Sequence, residues 1–232
     1  MKYESRFIAG KILAEYIKNN KEELFAQITR NPDDFFCFAI PNGGVPVSEG
    51  FCSYFNIYYD ILIVRKLKIP YNPEAGFGAI TTDGTVLFNP PLLDQLNLSE
   101  KQINHSISLT KEEIQQRIKY YNRELNLQAK YLENIQNKNI IILDDGLASG
   151  FTMLAGIKMI KNYKPMKIYV AVPTAPLGTI KKVRSEVYEI FCPDIRNTLW
   201  FAVADAYEHW YDVPETEVLE IINNSKHYVM NS

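Results

Sequence analysis

Two aspartates stand side by side in the stretch Ile141-Ile142-Leu143-Asp144-Asp145-Gly146-Leu147-Ala148-Ser149-Gly150-Phe151-Thr152. Adjacent carboxylates repel each other, so placing them after an apolar run demands water, hydrogen-bond donors or a cation. A ribose offers such donors, because its vicinal hydroxyls can reach both acids. Gly146 and Gly150 permit tight turns, Ser149 and Thr152 supply hydroxyls, and a helix starting near Phe151 would aim free amides and a partial positive charge into the same loop. That combination is an anion cradle. Carboxylates for a diol and amides for a phosphate, a few residues apart, match the two ends of one ribose 5-phosphate. A solvated strand-to-helix turn capped by Asp is the plainer alternative. It explains neither the paired acids nor the order of glycines and hydroxyls.

Such a loop works at the carboxyl end of a parallel strand, where open α/β sheets hold ligands. Apolar runs at 35–40, 60–64, 139–143, 167–172 and 187–191 read as buried strands. Helical periodicity at 6–18, 45–54, 99–128, 152–162 and 177–185 supplies the crossings. In the long third helix, Ser99 and Gln102 fit a capping box, and Ile103, Ile107, Ile114, Ile118, Tyr121 and Leu125 form the apolar stripe. The alternation predicts an α/β fold with a parallel sheet and helices on both faces. Residues 65–89 read as an insertion over the sheet, a loop holding Pro70, Asn72, Pro73 and Glu74 followed by a hairpin at Thr82-Asp83-Gly84. The tail at 197–232 carries Trp200, Phe201, Tyr207, Trp210 and Tyr211, enough to dock, and a last helix over 214–222. One domain over 1–232 is expected.

Composition narrows the partners. The 232 residues are 47% hydrophobic and 22% charged, with a formal charge of −2 and the basic residues scattered. Nothing there suggests a basic face for nucleic acid or a membrane span. The opening Met-Lys-Tyr-Glu-Ser-Arg lacks the pattern of a secretory leader, so a cytoplasmic location is the expectation. Cys37, Cys52 and Cys192 show no metal-binding spacing and read as buried free thiols. His105, His209 and His227 have no fixed acidic partner and receive no role.

The order apolar strand, Asp-Asp, three residues, Ser or Thr, Gly resembles the binding signature of type I phosphoribosyltransferases. Ser149 stands where the family usually has Thr, which keeps the hydroxyl. Ile40-Pro41-Asn42-Gly43-Gly44-Val45-Pro46-Val47 and the stretch from Val64 to Ile80 extend the likeness, which runs from near Arg6 to Val218. It points to a group of predicted phosphoribosyltransferases of unassigned substrate. Arg117, Tyr121 and Arg123 match an Arg-rich helix in that group.

The resemblance implies the type I core with a small hood, and it assigns roles. Asp144 and Asp145 would hold the ribose of 5-phosphoribosyl 1-pyrophosphate (PRPP), and Gly146, Leu147, Ala148, Ser149, Gly150, Phe151 and Thr152 its 5′-phosphate. Asn42, Gly43 and Gly44 would face the pyrophosphate, with Arg65 and Lys66 as cations meeting the departing charge. Glu74 is open to three roles, holding the loop, binding the acceptor or accepting its proton. Mg²⁺ is the implied cofactor, held largely by ligand oxygens with Asp144 and Asp145 in indirect contact. Two departures stand out. Asn42 replaces the Arg of a related Pro-Arg-Gly-Gly loop, and Ala148 replaces a carboxylate found in 6-oxopurine enzymes.

The expected reaction is transfer to an unidentified nitrogen nucleophile, such as a nucleobase, by a protein open to homodimer formation. A PRPP-binding or nucleotide-binding regulator without chemistry is the alternative, favoured by Asn42. A nucleotide or phosphosugar hydrolase is a third.

Overall fold

The structure, a computed structural model, describes residues 2–121, 126–198 and 200–229, with the side chains of Pro73 and Glu74 outside that description. In chain order the elements are α1 (Arg6–Asn20), α2 (Glu22–Arg30), β1 (Phe35–Ala39), α3 (Gly44–Phe55), β2 (Tyr59–Ile61), β3 (Val64–Ile69), β4 (Asn72–Thr81), β5 (Val86–Phe88), α4 (Pro90–Leu96) and α5 (Glu100–Tyr120). They continue with α6 (Leu127–Ile135), β6 (Asn139–Leu143), α7 (Phe151–Asn162), β7 (Lys167–Ala171), β8 (Thr174–Pro176), α8 (Leu177–Arg184), β9 (Glu189–Phe191), β10 (Asp194–Arg196) and α9 (Glu215–Asn224).

Every residue of β1 and β6 is buried, which is what a strand covered on both faces requires. Alternate side chains divide between two cores. Phe35, Cys37, Ala39, Ile141 and Leu143 pack toward α1, α3 and α9. Phe36, Phe38, Ile140 and Ile142 pack toward α6, α7 and α8. The parallel sheet runs β2-β1-β6-β7-β9, so the chain leaves β1 for one neighbour and later returns as the other. The crevice above β1 and β6 is therefore the place where strand order reverses, the site an open α/β sheet offers to a ligand. Ala39 pairs with Leu143, which starts the two following loops at the same height.

The hood is a second sheet, β3-β4-β5, antiparallel throughout. Two expectations change here. The apolar run at 60–64 is not one strand, because the core sheet keeps only Tyr59–Ile61 and Val64 already belongs to β3. Leu62 and Ile63 are buried, so the join between sheets is as apolar as either strand. Of the segment read as a loop, Pro70 and Tyr71 form the turn between β3 and β4, whereas Asn72, Pro73 and Glu74 begin the ten-residue β4. The hairpin at Thr82-Asp83-Gly84 is present, with Gly78 opposite Phe88 and Gly84 at φ 87°. Ser99 and Gln102 form the capping box that opens α5; Arg123 and Leu125 lie outside the described residues. The small parallel pair β8 and β10 went unforeseen.

Helix α1 crosses α3 at two glycines. A Cβ at Gly10 would lie 2.0 Å from the Val47 carbonyl oxygen, and one at Gly50 would lie 2.0 Å from that of Phe7. This close crossing brings the capped start of α1, where Ser5 accepts from the Ile8 amide, to the end of the core sheet. The tail meets it there. Tyr3 pairs with Tyr207, its amide donating to the Ala206 carbonyl at 2.7 Å. The three cysteines are free and buried. Among the described residues no helix is long and apolar enough to cross a membrane.

Candidate functional site

The two predicted loops meet. Gly43 lies so close to the acids that a Cβ there would sit 2.0 Å from Asp145 Oδ2, and the residue must be glycine for the loops to touch. The Pro41–Asn42 peptide is cis. Within this turn the Gly44 amide donates to Ile40 O and the Val45 amide to Asn42 O. Among the described residues, that leaves the Asn42 and Gly43 amides for a ligand.

Asp144 and Asp145 follow β6 directly, both partly buried. Asp144 Oδ1 accepts from the Asp145 amide at 2.8 Å. Burial and the neighbouring Asp145 charge push the Asp144 carboxyl well above the usual aspartate range. Burial also lifts Asp145, but a bond from Arg6 works against it. Asp144 is therefore the member that takes a proton first.

Arg6 was not foreseen as a site residue. Its Nε donates to Asp145 Oδ2 at 2.8 Å, and the side chain is 5% exposed. Aromatic rings of the tail surround the guanidinium, Trp210 at 4.2 Å, Tyr207 at 5.3 Å and Tyr211 at 5.4 Å from ring centroid to Cζ. Tyr207 adds a hydrogen bond from its hydroxyl to the Asp145 carbonyl at 2.7 Å. A cation held over ring faces and against a carboxylate is desolvated yet satisfied. The only hint in sequence was the density of aromatic residues in the tail.

The loop read as a cradle runs from these acids to the start of α7. Gly150 adopts φ 79° as the N-cap of α7, a conformation that strains other residues. Gly146 is not in that region; it admits Val203, whose Cγ1 would stand 2.6 Å from an added Cβ. Leu147 is buried and its amide donates to Thr174 O. The Ala148 carbonyl accepts from Thr179 Oγ1 at 2.6 Å. Ala148 and Ser149 are exposed, with Phe151 and Thr152 partly so, at the amide-bearing end of α7.

The hood residues separate. Arg65 on β3 reaches Glu113 of α5 at 3.3 Å, and Lys68 reaches the same carboxylate at 2.9 Å. Lys66 is exposed opposite Ala79. None of the contacts of Arg65 or Lys66 among the described residues is to Asp144 or Asp145. Glu74 lies in β4, and its side chain is outside the described residues. Arg117, by contrast, contacts the 42–44 loop, its Nη1 donating to Asn42 Oδ1 at 2.9 Å.

Among the described residues no three His, Cys, Asp or Glu side chains cluster as a metal cage. Two raised carboxyls at one crevice fit a hard cation carried mainly by the oxygens of an anionic ligand, which would relieve their mutual repulsion.

Comparisons with known proteins agree with this geometry. The profile of the phosphoribosyl transferase domain family matches residues 9–209. A Mycobacterium tuberculosis protein with a provisional phosphoribosyl transferase name is 26% identical over 186 residues, 80% of this chain and 41% of its own. The chain thus spans about two fifths of that relative's length. The uracil phosphoribosyltransferase of Mycoplasma genitalium is 51% identical over 53 residues, 22% of this chain and 26% of its own. The crystal structure of TT1426 from Thermus thermophilus superposes with a TM-score of 0.73 over 95% of this chain and 97% of that one, at 23% identity. With the switch-point crevice, the paired acids and the cradle all inside the matched span, the chain belongs to the phosphoribosyl transferase domain family.

Proposed function

We propose that the chain transfers the 5-phosphoribosyl group of PRPP to a nitrogen nucleophile. The contact of Gly43 with Asp145 carries the reading. It joins a loop with free amides to the diol-binding acids, so ribose and diphosphate ends of one molecule can be held together. The family profile supports the same chemistry.

Asp144 and Asp145 accept from the 2- and 3-hydroxyls, and Arg6 fixes the angle at which Asp145 does so. The amides of residues 148–152 and the hydroxyls of Ser149 and Thr152 hold the 5′-phosphate. The Asn42 and Gly43 amides face the diphosphate. The bond from carbon 1 to the diphosphate oxygen breaks, a bond from carbon 1 to the acceptor nitrogen forms, and the nitrogen's proton leaves to solvent or a base. Because the transition state is oxocarbenium-like, fixing the ring and excluding water are the protein's main contributions. Bound Mg²⁺, near Asp144 and Asp145, would neutralise diphosphate charge.

The test is pyrophosphate release from PRPP and Mg²⁺ with a panel of nitrogen acceptors, uracil first because of the short Mycoplasma match. Acceptor-dependent release supports transfer. Saturable PRPP binding without release across the panel would make the chain a sugar-phosphate sensor, and release without acceptor a hydrolase.

A further inference from the structure

A departing diphosphate needs positive charge, and the 42–44 loop carries none of its own. A guanidinium is brought to it from another element. Arg117 lies in the last turn of α5. Its Nη1 donates to Asn42 Oδ1 at 2.9 Å, and its Nη2 pairs with Glu215 Oε1 at 2.8 Å. Asn42 Nδ2 in turn donates to the Val213 carbonyl at 2.7 Å. The amide is therefore oriented, its oxygen toward the cation and its nitrogen toward the tail. An arginine at position 42 would meet Arg117 as a like charge, whereas a neutral amide can bond it.

Among the described residues, Arg117 has donors to spare. Of five guanidinium N–H groups, these contacts use two, and the side chain is 17% exposed. It also borders a polar cavity of about 340 Å³, shared with Arg65, Lys68, Glu113 and Glu215. Arg65 and Lys68 divide the one carboxylate of Glu113, so these three cations face two acids. The corner beside the loop carries one positive charge in excess among the residues named.

We propose that Arg117 is the diphosphate-binding cation of this site, carried by α5, which packs against the hood strand β3, and aimed by Asn42 at the 42–44 loop. The assignment rests on the PRPP reading above. It moves the charge from the loop to α5, so diphosphate recognition depends on how the hood sits over the crevice.

The test compares the affinities of the full chain for PRPP and for ribose 5-phosphate, each with Mg²⁺, by titration calorimetry. Arg117→Gln is expected to weaken PRPP roughly ten- to hundredfold, the range of a charge-assisted bond, and to leave ribose 5-phosphate unchanged. Glu215→Gln breaks the same ion pair but keeps the guanidinium, and should retain the preference for PRPP. Asn42→Arg combined with Arg117→Gln puts the cation into the loop and should restore it. Arg117→Lys covers a failure of the glutamine variant to fold, with an expected loss of roughly three- to tenfold for PRPP alone. An unchanged PRPP preference in both Arg117 variants overturns the proposal, as does a loss in Glu215→Gln equal to that in Arg117→Gln. Binding of neither sugar by the unaltered chain overturns the functional reading as well.

Discussion

Arg6 and Asp145 are 139 positions apart in sequence and 2.8 Å apart in the structure. The contact ties the first turn of α1 to the loop after β6, and the tail closes over both. Asp145 is thereby held as one partner of a buried ion pair, while Asp144, its neighbour, accepts at Oδ1 from the Asp145 amide and pairs with no cation among the described residues.

That asymmetry predicts opposite effects from the same substitution. With its native value raised, Asp144 binds a proton more readily in the folded chain than in the unfolded one. Its contribution therefore favours folding at low pH, and stability falls as pH rises from the ordinary aspartate range through the raised value. Asp144→Asn should raise the melting temperature of the ligand-free chain at neutral pH, with the gain shrinking on acidification. Asp145→Asn should cost about 3 kcal/mol by leaving Arg6 buried without its counter-charge. Denaturant melts of both variants from the ordinary aspartate range, about pH 4, up to neutral pH would separate them.

Tyr207→Phe should destabilise the chain by about 1 kcal/mol, the worth of one buried hydrogen bond. The Asp145 carbonyl loses its donor while the ring stays beside Arg6. The midpoint of urea unfolding reads the change, and a midpoint equal to that of the unaltered chain would contradict the contact.

Gly43→Ala places a methyl where Asp145 Oδ2 now stands. Overpacking of this kind costs roughly 1–3 kcal/mol, and here relief requires the carboxylate to move off Arg6. Ribose 5-phosphate affinity should fall together with stability. An alanine variant that binds the sugar as well as the parent would separate the loop from the site.

Ser149 is exposed, so Ser149→Ala should leave folding alone. Its predicted effect is a roughly tenfold loss of ribose 5-phosphate affinity through one hydrogen bond to the phosphate. Ser149→Thr should restore it.

Much of the core was legible because its causes are local. The strand at 139–143 and the acids after it stand where the apolar run ends, and the glycine at 150 announces the left-handed turn that opens α7. Reading stopped where a cause was distant or uniform. Residues 61–64 are apolar throughout, and nothing local marks Leu62 and Ile63 as the passage from one sheet to another. Strands of three residues, such as β8 with its terminal Pro176, give too short a pattern to read. Arg6 looked like an ordinary helix cation, and Arg117, matched to an Arg-rich helix by resemblance, could equally be exposed or pair with Glu113. Their partners, Asp145 and Asn42, lie across the fold, and only assembled geometry reveals that each cation reaches a loop at the crevice.

The tail's hold on Arg6 also sets an order of events during synthesis. Strand β6 and its acids leave the ribosome well before Tyr207 and Trp210, so a nascent chain carries the paired carboxylates without the ring cage that secures Asp145. On the reading proposed above, competence to grip the sugar waits for the tail, and a chain stalled or clipped before residue 207 would own the 42–44 and 144–152 loops yet lack the clasp that steadies them.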